Sequence, residues 1–384
     1  MKLARLAALA LSSLVAFGCG ADASSPESGS PAAPPAPPPR LAPELGTGNG
    51  SAGSVTFTVI ASSADGLKQP TDLDFNPLRP TELWVVNYAT NGVLFITSAT
   101  TDERTAVSRR DVAASHFMPR PTSIAFGQDE TTFGVPGTFA TCGESQNQHA
   151  TGSRDDFMGP ALWSSDPSIF AKKDPDGLGS HLDMLHNTPL CMGIAHEVGN
   201  RYWVTGGLSK SIDLYDFKRD HNIGKDDHSD GEYYRYAAGR LGYVEGIPSH
   251  LVFRKADSMV YVADTGNARI VRLDPKSGTQ GAKVRPKEPM KVSVEMDNAA
   301  LVDFVSAKAG LVKPSGIALS GDLVFVSDHA TSKIHAFDLK GEEVNRLDTG
   351  LPEGSLAGIT LGPDGRLYFV DMVESRVLRI DVKR

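Results

Sequence analysis

Apolar and polar positions along the chain fall into short alternating runs separated by small and acidic residues. The clearest stretch is Lys313 to Phe337, KPSGIALSGDLVFVSDHATSKIHAF. Ile317 and Leu319 alternate after Pro314-Ser-Gly. Leu323-Val-Phe-Val326 leads up to Asp328, and Ile334-His-Ala-Phe337 follows. Runs rich in β-branched and aromatic residues, bounded by Gly, Ser and Asp, predict strands. Three short strands joined by tight turns are expected here.

The same order is written six times. Pro70-Thr-Asp-Leu73 leads to Leu83-Trp-Val-Val-Asn87 and Val93. Pro121-Thr-Ser-Ile124 leads to Thr138-Phe-Ala-Thr141. Cys191-Met-Gly-Ile194 leads to Tyr202-Trp-Val-Thr-Gly206 and Ile212. Pro248-Ser-His-Leu251 leads to Val260-Tyr-Val-Ala-Asp264 and Ile270. Pro314-Ser-Gly-Ile317 leads to Asp328 and Ile334, and Leu356-Ala-Gly-Ile359 to Leu367-Tyr-Phe-Val-Asp371 and Val377. In five of the six, the residue closing the second strand (Asn87, Gly206, Asp264, Asp328, Asp371) stands six positions before the aliphatic residue of the third. Asp and Asn accept hydrogen bonds from turn amides, so a turn of fixed length is expected. A period of several tens of residues means a propeller or a solenoid.

These repeats resemble the NHL repeat of TolB-like six-bladed β-propellers, over residues 54–384. The resemblance implies an all-β domain, a single six-bladed β-propeller of four-stranded blades. It implies no particular activity, because propellers carry many. The last blade reads as three strands only. Val55-Thr-Phe-Thr-Val-Ile60 alternates with period two. It is expected to pair with Arg376 to Asp381 as the fourth, outer strand, closing the ring and hiding an edge. Asn298 to Ala309 reads as a short helix or an outer strand.

The start of the chain has a different character. Lys2 and Arg5 precede a short apolar run, Leu6 to Phe17, too short to span a bilayer. It ends Val15-Ala-Phe-Gly-Cys19, which resembles a bacterial lipobox with Cys19 as the lipidated residue, although Ala16 stands where Leu is more usual. The expectation is an exported protein, lipid-anchored in the cell envelope at the outer membrane. An ordinary signal peptide cut nearby is the alternative. Residues 20–53, rich in Pro, Ala and Ser, read as a linker that lacks the apolar surface to fold.

With Cys19 taken by lipid, Cys142 and Cys191 remain. The repeat places both on one face of neighbouring blades, so a disulfide across the intervening loop is expected. The competing reading makes Cys191, beside Met192 and near His186, a soft metal ligand. Formal net charge is −8 and becomes about −10 when Lys2 and Arg5 leave with the signal, a balance poorly suited to nucleic acid. The membrane is then a partner only through the lipid, and a monomer is expected. The basic stretch Lys283 to Lys291 reads as a solvated outer loop.

Function is expected where the chain departs from the repeat, in residues 143–190 and in Asp220 to Glu232. Six of the ten histidines (His181, His186, His196, His221, His228, His250) fall between residues 181 and 250, among Asp220, Asp226, Asp227, Asp230 and Glu232. Asp226-Asp-His-Ser-Asp230-Gly and Asp174-Pro-Asp176-Gly resemble fragments of calcium loops. Imidazole with carboxylate suits a transition metal instead. His196, His221, Asp226, Asp227, His228, Asp230 and His250 are therefore candidate ligands for a divalent cation, calcium or a transition metal. Equally, they cap turns and solvate a rim.

Two enzyme families have a similar fold. Peptidyl-amidoglycolate lyases hold zinc with histidines one residue after the first Pro of several blades. Here those positions are Thr71, Thr122, Met192, Ser249, Ser315 and Ala357, and strand alternation is expected to point His250 elsewhere. Lactonase-type propellers need inward Asp and Asn around calcium. Asn87, Asp72 and Asp264 are present, but their pattern is also that of turn formers. The leading expectation is a binding module for a protein, peptide or glycan, using its blade-two and blade-three insertions. The binding face would include His181, His186, Met192, Asp264, Asp328, His329 and Asp371. The alternative is a metal-dependent hydrolase or lyase.

Overall fold

The structure, a computed structural model, describes residues 42–127, 137–147, 158–225, 227–284 and 289–383. Cys19, Asp226 and most of the linker lie outside the described residues. Six sheets stand in a ring. Each is one blade, with its first strand lining a central channel. This is a six-bladed β-propeller.

Blade one is Pro70–Phe75, Leu83–Asn87, Gly92–Thr97 and Thr105–Arg109. Blade two is Pro121–Phe126, Thr138–Gly143, Ala161–Ser164 and His181–Met184. Blade three begins Cys191–Val198, Arg201–Gly206, Ser211–Asp216 and Glu232–Tyr236. Blade four is Leu251–Arg254, Met259–Asp264, Arg269–Leu273 and Leu301–Val305, so the ambiguous stretch near Asn298 is an outer strand. Blade five is Pro314–Ser320, Leu323–Asp328, Lys333–Phe337 and Glu343–Asp348. Blade six is Leu356–Leu361, Leu367–Asp371, Arg376–Val382 and the N-terminal Val55–Ala61. We call the face where the first strands begin the top and the opposite face the bottom.

The burial pattern follows from position in the blade. Second strands such as Leu83–Asn87 are buried at every residue, because a neighbouring blade covers each face. Outer strands such as Thr105–Arg109 have no buried residue. The recurring six-residue spacing has a backbone cause. The fourth residue after each closing residue is left-handed: Asn91, Lys210, Ala268, Ser332 and Ser375, with φ between 50° and 55°. Four-residue connections of this kind turn one strand into the next.

Hydroxyls near the tops of the inner strands stitch blade to blade. Thr71 donates to the Pro121 carbonyl at 2.8 Å, Thr122 to Cys191 at 2.8 Å, Thr205 to Ser249 at 2.7 Å, and Ser315 back to Pro248 at 2.9 Å. Ser327 donates to Ala357 across the next joint. Val55–Ala61 pairs antiparallel with Arg376–Val382, as expected, with Thr56 opposite Asp381 and Thr58 opposite Arg379. The ring is closed by strands from both ends of the domain. Cys142 and Cys191 form a disulfide, Cα–Cα 5.5 Å, so Cys191 is not a free thiolate for metal.

Two features have no counterpart in the repeat. Thr279–Lys283 and Val292–Asp297 form a hairpin that leaves blade four and adds to blade three, with Val292–Asp297 parallel to Glu232–Tyr236. Residues 42–53, read from sequence as the end of the linker, are packed onto the propeller. Ala42 and Leu45 are buried in the core between blades five and six. Glu44 accepts from Ser320, the Ala42 carbonyl accepts from Asn345, and Gly50–Ser51 runs parallel to Leu347–Asp348.

Candidate functional site

An inner strand has a sheet neighbour on one side only, so its other edge faces the channel. What lies in the channel depends on the third residue of each repeat, counted from Pro70, Pro121, Cys191, Pro248, Pro314 and Leu356. In blades one to six that residue is Asp72, Ser123, Gly193, His250, Gly316 and Gly358. The glycines are required by close approach: a Cβ on Gly358 would collide with Asp72, and one on Gly316 with the Ala357 carbonyl oxygen. Three bare positions leave room for one Asp, one Ser and one His, and these three meet.

Asp72 Oδ2 accepts from Ser123 Oγ at 2.6 Å and from the Ile124 amide at 3.0 Å. Its Oδ1 lies 3.6 Å from His250 Nδ1, which reaches across from the opposite blade. His250 Nε2 is 3.0 Å from the Thr122 carbonyl oxygen, which fixes it as the donor nitrogen. Ser123 Oγ also accepts from the Ile194 amide at 3.1 Å. Burial pushes the Asp72 carboxyl above its ordinary range, against the pull of His250 and the Ser123 bond. These three side chains narrow the channel. The sequence expectation that alternation turns His250 away is corrected: it faces the channel, because it occupies the same position as Asp72 and Ser123.

Below the constriction the channel widens into a cavity of about 430 Å³ reaching toward the bottom face. All six inner strands line it, mostly with apolar side chains such as Phe126, Val252, Phe253, Leu319 and Leu361. Asp74, two residues below Asp72 on the same side of the strand, is half-buried in its wall and accepts from the Phe126 amide at 3.1 Å. Burial, with the Asp72 charge adding to it, pushes the Asp74 carboxyl up to about 7. His196 stands near the bottom mouth, its Nε2 2.9 Å from the Gly199 carbonyl oxygen and its ring against Tyr202. Burial lowers its pKa, so it is neutral.

The top face is held by a buried carboxylate. Glu144 is fully buried and accepts from Tyr88 at 2.6 Å, Tyr243 at 2.5 Å and the Gly246 amide at 2.9 Å. It pins the connector between blades three and four, so that Ile247 is buried. Beside this connector lies an open depression of about 530 Å³ lined by Lys68, Glu245, His329 and Met372. His329 Nδ1 is 2.8 Å from the Leu356 carbonyl oxygen.

The remaining candidates are dispersed. His181 is buried and stacks on Phe117 at 3.6 Å between centroids. His186 meets His228 edge to face at 4.9 Å. His221 lies 3.1 Å from Asp230 and 3.9 Å from Asp183. Asp227 is exposed and caps the Ser229 amide. These groups sit where the blade-three insertion pairs with the outer strand of blade two, through His221 N to the Leu182 carbonyl and Gly224 N to His181. His196 and His250 belong to the channel instead. Among the described residues no three His, Cys, Asp or Glu side chains gather as a metal-holding group.

Three residues named for the binding face are buried turn formers. Asp264 accepts from the Gly242 amide, Asn267 and Arg269. Asp328 accepts from the amides of Val312, Lys313, Ala330 and Thr331. Asp371 accepts from Glu374 and Arg376. Met192 is buried under the connector. Asn87 takes the Lys68 amide. Asp74 and Ser123 were not singled out from sequence. The available signal was an Asp-x-Asp in a strand whose other interior residues are Leu and Phe.

No protein-family model matches the sequence, and no curated protein matches it. Solved structures do match its fold. One is a structural genomics protein of unknown function from Bacteroides thetaiotaomicron, 11% identical, covering 86% of this chain and 76% of its own, TM-score 0.51. Another is an auxiliary nutrient binding protein from Bacteroides ovatus, 13% identical, covering 83% and 70%, TM-score 0.50. A streptogramin B lyase is 11% identical, covering 86% and 98%, TM-score 0.49. At such identities the likeness concerns the fold alone.

Proposed function

We propose that this protein is an exported, lipid-anchored binding module built on NHL-type repeats, and that its ligand enters the channel from the bottom face. One observation carries the reading. The polar groups at the constriction satisfy one another, while the cavity below them stays open, with polar and apolar surface in equal measure. Concave chambers that combine apolar side chains with fixed polar groups are the usual form of small-molecule sites.

The constriction is not arranged for nucleophilic catalysis. Ser123 donates its proton to Asp72 and not to an imidazole, and His250 donates to a carbonyl. The serine–imidazole pair of a triad hydrolase is therefore not formed, and the group that takes the Ser123 proton is the Asp72 carboxylate. The metal-dependent hydrolase or lyase has less support, because His196 and His250 lie in the channel, apart from His221, Asp227, His228 and Asp230 at the junction of blades two and three. The insertions 165–180 and 217–231 flank the same bottom face and are tied together by Lys225 to Asp176 at 2.8 Å. They form a rim beside the mouth. A nutrient binding protein shares the fold, which is compatible with this role.

The test is a ligand screen on the purified protein read by thermal shift, repeated on Leu319→Trp, which fills the cavity. Ligands that stabilise the parent and not the variant support the reading. Turnover of an ester, lactone or amide that vanishes in Asp72→Asn would replace it with the enzyme. For the anchor, Cys19→Ser is expected to move the protein from the membrane to the soluble fraction.

A further inference from the structure

The channel has a charge imbalance. Its ionisable lining is Asp72 and Asp74 from blade one, His196 from blade three and His250 from blade four, and among the described residues no Lys or Arg lines it. His250 faces Asp72. His196 is neutral and turned to Gly199, with Lys255 the cation that acts on it from outside the lining. Asp74 is left as a carboxyl whose recorded partner is a backbone amide, half-open to a cavity of about 430 Å³.

We infer that the channel selects a small organic cation, an amine carried on an apolar body, with the ammonium group at Asp74 and the body against Phe126, Val252, Phe253, Leu319 and Leu361. This rests on the channel being the binding site. An ammonium supplies the charge Asp74 lacks, through a charge-assisted hydrogen bond, which is the strong kind. A metal ion fits less well. Calcium takes six to eight oxygens, and Asp72, the one nearby carboxylate, is already held by Ser123, the Ile124 amide and His250. An anion would meet two carboxyls with no lysine or arginine.

A linked consequence follows from the Asp74 carboxyl titrating near 7. Below that pH it carries a proton that a bound ammonium displaces. Amine binding is therefore expected to release a proton at pH 6 and to tighten toward pH 8.

The experiment is calorimetric titration of the purified protein at pH 8 with phenethylamine and with 2-phenylethanol, its uncharged counterpart. The expected result is at least tenfold tighter binding of the amine. Asp74→Asn, whose amide oxygen can still accept from Phe126, is expected to fold and to bind both probes at the alcohol's level. Equal affinities in the parent, or an amine preference that survives Asp74→Asn, would overturn the cation inference and leave the channel as a binding site. If neither probe binds, or both bind Leu319→Trp as well as the parent, the channel reading falls and the inference falls with it.

Discussion

His250 of blade four and Asp72 of blade one approach to 3.6 Å across the channel, although their blades stand on opposite sides of the ring. The contact couples inner strands that share no sheet. His250→Ala would leave a buried carboxylate facing a gap. Removing one partner of a buried polar pair costs about 1–3 kcal/mol, and urea unfolding is expected to show a loss of that order. His250→Gln, which can donate to one of the two partners, is expected to lose less.

Asp74 makes stability depend on pH in a defined sense. Its folded carboxyl titrates near 7 and its unfolded one near the ordinary value of 3.8. Between these the folded state holds more protons than the unfolded, so stability falls as pH rises through that window. Asp74→Asn removes the fall. The variant is expected to melt higher than the parent at pH 8 and to lose that advantage at pH 4, in parallel thermal scans.

The disulfide closes a loop with a sequence separation of 49 between Cys142 and Cys191. Loop-closure entropy puts its contribution at roughly 3–4 kcal/mol. The double variant Cys142→Ala, Cys191→Ala is expected to lose about that much, and reduction of the parent should reproduce the loss without mutation.

The left-handed turn residues offer a stabilising change. Ala268 has φ 55° and ends the short turn before Arg269–Leu273. A left-handed conformation costs an L-residue roughly 1–2 kcal/mol, part of which glycine's larger unfolded-state entropy offsets. Ala268→Gly is expected to raise the melting temperature slightly, and Ala268→Val to lower it.

The blades were legible because their signal is local. Alternation marks each strand, and an acidic or amide residue marks each turn. Even the clasp between Val55 and Arg376 could be read, since a three-stranded last blade demands a partner. The hairpin at 279–297 could not, because its choice of blade three depends on which outer edge lies open. The site was harder still. Asp72, Ser123 and His250 are 51 and 127 residues apart in sequence, and they meet only because three glycines elsewhere in the ring make room. The histidines that drew attention by their density are shared out among a stack, a rim and the channel.

The strap at residues 42–51 has a mechanical meaning. A tension applied at the N-terminus reaches Ala42 and Leu45 first, and both are wedged into the core between blades five and six. The antiparallel clasp of Val55–Ala61 lies behind them. A pull on that strand from its Val55 end would peel it pair by pair and open the ring. The strap takes the load before the clasp does, as strain relief protects the joint of a cable.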